Sequence, residues 1–260
     1  MNQHNRQLKT PSTKRKIRFT FGYSHIAEAP HNATFGVELQ IPRKMQNHKP
    51  FYERNLPHFQ PERGTFFLTY RLFGSIPKSV LKEFQEHFQK IKYSQRNISS
   101  RRFQRLRAAY FQRLDNVLDK QLNEPYWLQD NRIAQIVYDS LLFNDAKEYE
   151  LWSFSLMPNH VHALLTLKES SLPLYSVLQN HKKFTANKCN QVLKRTGQFW
   201  EHETYDHVVR KGVEFGNIVN YILNNPVKAG FVKHWSEWRW NYLHPSLVEG
   251  LAPNRRFGIR

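Results

Sequence analysis

An α+β fold, helices packed on an antiparallel sheet, is predicted by three features of the chain. Stretches rich in Val, Leu, Thr and aromatic residues alternate with stretches of helical period. Proline, glycine and serine clusters punctuate them. The pieces follow in the order strand, helices, strand, strand, helix, strand, helix, with the two central strands close enough to form a hairpin. A chain of 260 residues holds one good core with room for extensions.

Residues 1 to 64, rich in Lys, Arg, His, Asn and Pro, are expected to form a basic, largely irregular N-terminal extension, either an arm that gains affinity from phosphates or a solvated tail with no specific contact. The main domain is expected over 65 to 232, with a helical insertion at about 95 to 128 and a C-terminal tail over 233 to 260. It opens with a strand, Thr65-Phe66-Phe67-Leu68-Thr69-Tyr70-Arg71-Leu72, ended by Gly74 and Pro77. From 78 to 93, Val80, Leu81, Phe84, Phe88 and Ile91 fall on one side of a helix. A second helix begins at Ser99 or Ser100, with Phe103, Leu106, Tyr110, Leu114 and Val117 as its stripe and Arg101, Arg102, Arg105, Arg107 and Arg113 on its polar side. A third runs from about 130 to 143 through Ile133, Ile136, Val137, Leu141 and Leu142. A hairpin follows, about 149 to 156 and 160 to 167. The helix after Pro173 carries Leu174, Val177, Leu178, Phe184 and Val192 as far as Gly197. A short strand is read at 198 to 200 and 205 to 209, with a loop of histidines between. The last helix opens at Gly212 and carries Phe215, Ile218, Val219, Ile222 and Leu223 at i, i+3, i+4, i+7 and i+8, with Pro226 and Gly230 signalling its end. The whole matches a ferredoxin-like βαββαβ core with an added helix.

Two pairs of polar residues stand out. In Met157-Pro158-Asn159-His160-Val161-His162-Ala163-Leu164-Leu165-Thr166-Leu167 a turn leads into a strand. Alternate side chains of a strand share a face, so His160 and His162 project together and form a ready clamp for a divalent metal. In the last helix, at about 100° per residue, Tyr221 and Asn225 lie together on one flank of the apolar stripe, whereas Asn224 points elsewhere. That flank offers a hydroxyl and a carboxamide one turn apart.

Thirty-nine Lys and Arg against twenty-one Asp and Glu give a formal net charge of +18. Such a surplus favours polyanions, nucleic acid first and acidic membrane surface second. Aromatic residues make up 14% of the chain, and aromatic faces among cations suit unpaired bases. Trp200 and Tyr205 are candidates for stacking, the alternative being a core role, and Lys182 on the long helix with Arg101 and Arg105 on the second helix are candidates for contact with a nucleic-acid backbone, the alternative being a solvated face. Cys189 is the single cysteine, which points to a core role and a reducing compartment. The chain shows no signal-peptide pattern and no apolar run long enough to span a membrane.

Met157-Pro158-Asn159-His160-Val161-His162, Gln198-Phe199-Trp200, Tyr205-Asp206-His207 and Tyr221-Ile222-Leu223-Asn224-Asn225-Pro226-Val227-Lys228-Ala229-Gly230 resemble, in order and spacing, the single-tyrosine HUH transposases, and within them the REP-associated tyrosine transposases. The resemblance spans roughly residues 55 to 235 and is densest from 149 onward. It implies a ferredoxin-like fold, a divalent cation, Mg²⁺ or Mn²⁺, held by His160, His162 and Asn225, and Tyr221 as nucleophile. It further implies cleavage and transfer of single-stranded or hairpin DNA through a 5′-phosphotyrosine, in a bacterial, nucleoid-associated cytoplasmic protein, as monomer or homodimer. The rival expectation is a nucleic-acid-binding regulator that has kept the fold and lost cleavage. Replication-initiator and relaxase-like HUH nucleases generally bring other motif spacings and larger chains.

Overall fold

The computed structural model describes residues 17–20, 34–37, 51–53, 57–61, 63–93, 100–120, 124–169, 171–210 and 212–249. Four short strands fall in the part expected to be irregular: β1 (Ile17–Thr20) pairs with β2 (Thr34–Val37), and β3 (Phe51–Glu53) with β4 (Pro57–Phe59), both antiparallel. The rest of the expected 1–64 extension lies outside the described residues, apart from 60, 61, 63 and 64.

The main body follows in the order β5 (Thr65–Leu72), α1 (Lys78–Tyr93), α2 (Ser100–Asp119), α3 (Asn131–Asn144), β6 (Tyr149–Leu156), β7 (His160–Leu167), α4 (Leu174–Val192), β8 (Trp200–Val209), α5 (Gly212–Lys228), β9 (Asn241–Leu243) and α6 (Pro245–Glu249). Five strands form one antiparallel sheet ordered β8-β5-β7-β6-β9. The α+β class is as the sequence predicts. Residues 233–249, expected as a tail, supply the edge strand β9 and the short helix α6.

The sheet buries both faces. Phe66, Leu68, Tyr70 and Leu72 of β5 and Val161, Ala163 and Leu165 of β7 meet α3 and α4 on one face. On the other, Phe67 and Leu164 meet Phe111 of α2 and Phe215, Val219, Ile222 and Leu223 of α5. Period-two alternation thus divides each strand between two cores. Leu114 and Leu118 of α2 pack with Ile76 and the apolar side of α1.

Several local expectations are corrected. The expected histidine loop is part of one continuous strand, Trp200–Val209, which pairs with β5 on both sides of a register shift between Tyr70 and Leu72. Helix α4 ends at Val192, and Phe184, expected on its buried stripe, is 51% exposed. Pro226 does not end α5. The helix continues to Lys228 and closes with Gly230 at φ +79°, where Phe231 N–H donates to the Pro226 carbonyl and Gly230 N–H to that of Val227. That is a Schellman closure, and its left-handed residue carries no Cβ penalty when it is glycine.

Candidate active site

Strand β7 is internal to the sheet, so both of its histidines are fixed by paired strands on either side. His160 lies opposite Arg71 and His162 opposite Thr69 on β5, and Ser155 of β6 faces His162 from the other side. The small Thr69 and Ser155 flank His162. The turn before β7 is closed by Met157 N–H to the His160 carbonyl at 2.9 Å.

Both imidazoles are fully buried, with ring centres 4.6 Å apart and Nε2 atoms 3.0 Å apart. Their other ring nitrogens are engaged. Nδ1 of His160 is 2.7 Å from Oδ1 of Asn159, and Nδ1 of His162 is 2.7 Å from Oγ1 of Thr69. A ligand histidine is oriented in this way by a partner on its second nitrogen. With Nδ1–H donated to Asn159, His160 presents an unprotonated Nε2 to the cluster. Burial, and then the neighbouring His162, hold the His160 imidazole well below its ordinary pKa, in the neutral form a metal requires.

A third ligand candidate comes from α2. Asp115 is buried, and its Oδ1 lies 3.2 Å from Nε2 of His162. Asp115, His160 and His162 offer ligand atoms all within 4.8 Å of one another. Burial by itself works to protonate the Asp115 carboxyl, but the hydrogen bond and charge of His162 outweigh it and hold the group below the usual carboxylate range. Asp119 ends its helix and Asp115 stands one turn before it, toward the negative end of the helix dipole, which disfavours carboxylates. The Lys228 ammonium offsets this, 3.2 Å from Oδ2 of Asp115 and 2.8 Å from Oδ2 of Asp119.

Helix α5 delivers Tyr221 to the same place. Its ring centre is 5.5 Å from that of His162, and its hydroxyl donates to Oδ2 of Asp115. Phe67 and Phe111 hold the phenol edge-on at 5.9 and 6.0 Å. Burial first, then the charge and hydrogen bond of Asp115, push the phenol pKa far above its ordinary value, so the hydroxyl is protonated as it stands. One turn on, Asn225 is 1% exposed and near enough to act on the phenol, yet neither amide atom has a hydrogen-bond partner at normal distance. A buried amide left in this condition is costly unless a ligand completes it. Two imidazoles whose Nε2 atoms converge with a carboxylate oxygen, beside an orphaned carboxamide, therefore suit a hard or borderline divalent cation. Asn224 turns aside, its amide donating to the carbonyl and side chain of Asn220.

Helix α2 buries Phe111, Leu114, Asp115 and Leu118, a face displaced from the expected stripe of Phe103, Leu106, Tyr110, Leu114 and Val117. Asp115 thereby escaped the sequence reading. Its signal was a carboxylate one turn after Phe111, in a helix whose other charges up to that point are arginines.

The expected DNA-contacting residues are placed differently. Trp200 is 4% exposed, its indole N–H donates to Oγ1 of Thr185 at 2.8 Å, and its ring meets Tyr70. Tyr205 is 6% exposed and stacks on Phe111 at 4.4 Å. Both rings are used by the core, which corrects their assignment as stacking platforms. Lys182 lies on the opposite side of the sheet, donating to Oγ1 of Thr204 and the Glu201 carbonyl. Arg105 is exposed on α2. Arg101 lies in the same helix, its side chain outside those described. Asp206 is buried, with its carbonyl accepting from Arg107, while His207 pairs with Glu214 at 2.7 Å.

The chain is 30% identical over 107 residues, 41% of its length, to a REP-associated tyrosine transposase of Escherichia coli (strain K12), and 23% identical over 114 residues, 40% of its length, to a putative REP-associated tyrosine transposase of Haemophilus influenzae (strain ATCC 51907 / DSM 11121 / KW20 / Rd). The matches span 62% and 65% of those relatives' own lengths. A solved structure described as a REP-associated tyrosine transposase bound to a REP hairpin aligns over 78% of this chain and 87% of its own, at 18% identity and a TM-score of 0.46. No family model matches the chain. Among the described residues, no helix is long and apolar enough to cross a membrane.

Proposed function

We propose that this chain, a relative of the REP-associated tyrosine transposases, is a DNA strand transferase that cleaves single-stranded DNA beside a hairpin with Tyr221 as nucleophile. The observation that carries the reading is the convergence of three elements on one point. The phenol of α5 donates to a carboxylate of α2, which in turn faces the paired imidazoles of β7.

His160, His162 and Asp115 are the residues to hold a divalent ion, Mn²⁺ or Mg²⁺, with the orphaned amide of Asn225 as a fourth ligand. Bound there, the ion supplies Lewis acidity, drawing charge from the oxygens of a phosphodiester. The chain's own residues do the rest. Phe67 and Phe111 fix the Tyr221 ring, which gives the hydroxyl a defined line of approach. The phenol oxygen forms a bond to phosphorus as the bond from phosphorus to the 3′ oxygen breaks, leaving a 5′-phosphotyrosyl enzyme and a 3′-hydroxyl. The hydroxyl, oriented by its hydrogen bond to Oδ2 of Asp115, gives its proton to solvent as the bond forms, and the departing 3′ oxygen takes a proton from solvent. The phosphotyrosyl bond conserves the diester, so a 3′-hydroxyl reverses the step and joins strands with no ATP.

The test is a pool of hairpin oligonucleotides with randomised unpaired flanks, incubated with the protein and Mn²⁺ and resolved on a denaturing gel. A covalent protein–DNA adduct is expected, absent with Tyr221→Phe while hairpin binding persists. Binding with no adduct from the unaltered protein would establish the regulator reading instead. An adduct that survives Tyr221→Phe would place the nucleophile elsewhere.

A further inference from the structure

We infer that Lys228 is a substrate-binding residue of this site, its ammonium holding a non-bridging oxygen of the phosphate that Tyr221 attacks. The inference rests on the strand-transferase reading above. Lys228 follows Tyr221 by seven residues, two turns along α5, and its Nζ stands 5.9 Å from the centre of the Tyr221 ring. Ammonium and phenol converge on a single oxygen. Oδ2 of Asp115 accepts from the Tyr221 hydroxyl and from Nζ of Lys228 at 3.2 Å. Oδ1 of the same carboxylate faces His162. An oxyanion brought beside the phenol therefore comes within reach of the ammonium too.

Exposure separates Lys228 from its partners. His160, His162 and Asp115 are buried, whereas the Lys228 side chain is 46% exposed. Its side chain is therefore reachable from solvent where theirs are not. Two carboxylates, Asp115 and Asp119, share this one ammonium. Its third N–H meets Oδ1 of Asn116 at 3.3 Å, a contact that a phosphate oxygen can replace while both carboxylates stay as anchors. Ammonium-to-phosphate hydrogen bonds are among the stronger polar contacts, since both groups are charged.

The experiment is a binding cycle between one protein charge and one DNA charge. The oligonucleotide recovered from the adduct is made with its scissile phosphate either intact or replaced by a methylphosphonate, which is uncharged. Each form is titrated with the Tyr221→Phe protein, which cannot cleave, in EDTA so that no ion contributes, and with the same protein carrying Lys228→Gln or Lys228→Arg. Removing the phosphate charge should weaken binding about tenfold with Lys228 and with Lys228→Arg, and about twofold or less with Lys228→Gln. If Lys228→Gln fails to fold, the cycle is run in the Asp119→Asn background, which relieves the carboxylate left without its cation. Equal losses for all three proteins would overturn the assignment and leave Lys228 a structural counter-ion. Failure of every oligonucleotide to form an adduct would instead sink the strand-transferase reading, and this inference with it.

Discussion

Substituting Asn for Asp115 removes one charge from the cluster at nearly constant shape, so its effect on metal binding can be worked from the geometry. The three ligand atoms lie within 4.8 Å of one another, so an ion touching all of them sits no farther than that from the carboxylate. Two unit charges at that separation attract by about 3.5 kcal/mol at an effective dielectric of ~20. For a divalent ion this is a lower bound. Release of Lys228 from Asp115 acts in the same direction, because its positive charge is then less neutralised. Asp115→Asn should therefore weaken Mn²⁺ binding about 300-fold or more. Calorimetric titration of the DNA-free protein with MnCl₂ reads this directly, and circular dichroism checks that the fold is kept. A loss smaller than about tenfold in a folded protein would refute the assignment of Asp115 as a ligand. The ion would then rest on the two histidines and Asn225.

Two further outcomes follow from the packing. Phe111 is buried against Phe67, Tyr205 and Tyr221, so Phe111→Ala should cost about 3 kcal/mol in urea unfolding and weaken Mn²⁺ binding, because Asp115 is carried on the next turn of α2. A cost under about 1 kcal/mol would show that α2 is not held on the sheet by this ring. His181 is buried between Tyr70 and Ser140, at 2.8 and 2.9 Å, and burial lowers its pKa to about 3. The native state therefore resists a proton that the unfolded chain takes up at ~6.5. Its contribution is complete above that pH and is lost as pH falls toward the folded value, by about 3 kcal/mol at pH ~4.5. Thermal unfolding between pH ~7 and ~4.5 should show this slope, and His181→Gln should flatten it. An unchanged slope would assign the acid sensitivity to other groups.

What could be read from the chain and what could not divide along a physical line. The facing of His160 with His162 is a consequence of strand period, and the neighbourhood of Tyr221 and Asn225 of helical period. Both are local, so they are legible without a fold. The order of strands and helices was legible for the same reason, as was the α+β class. Helix α2 shows where local information ends. Its apolar residues support two faces, one through Tyr110, Leu114 and Val117 and another through Phe111, Leu114 and Leu118, and periodicity cannot rank them. Contact with both α1 and the sheet selects the second.

By itself the sequence determined the two polar pairs and the architecture that carries them, since each depends only on residues within a turn or a strand of one another. Tertiary structure alone decided that Asp115 joins the histidines, that Lys228 caps the carboxylates and that Trp200 and Tyr205 are spent on the core. These depend on which surfaces meet, and a surface is chosen by the total apolar area that packing removes from water, a sum over residues far apart in the chain.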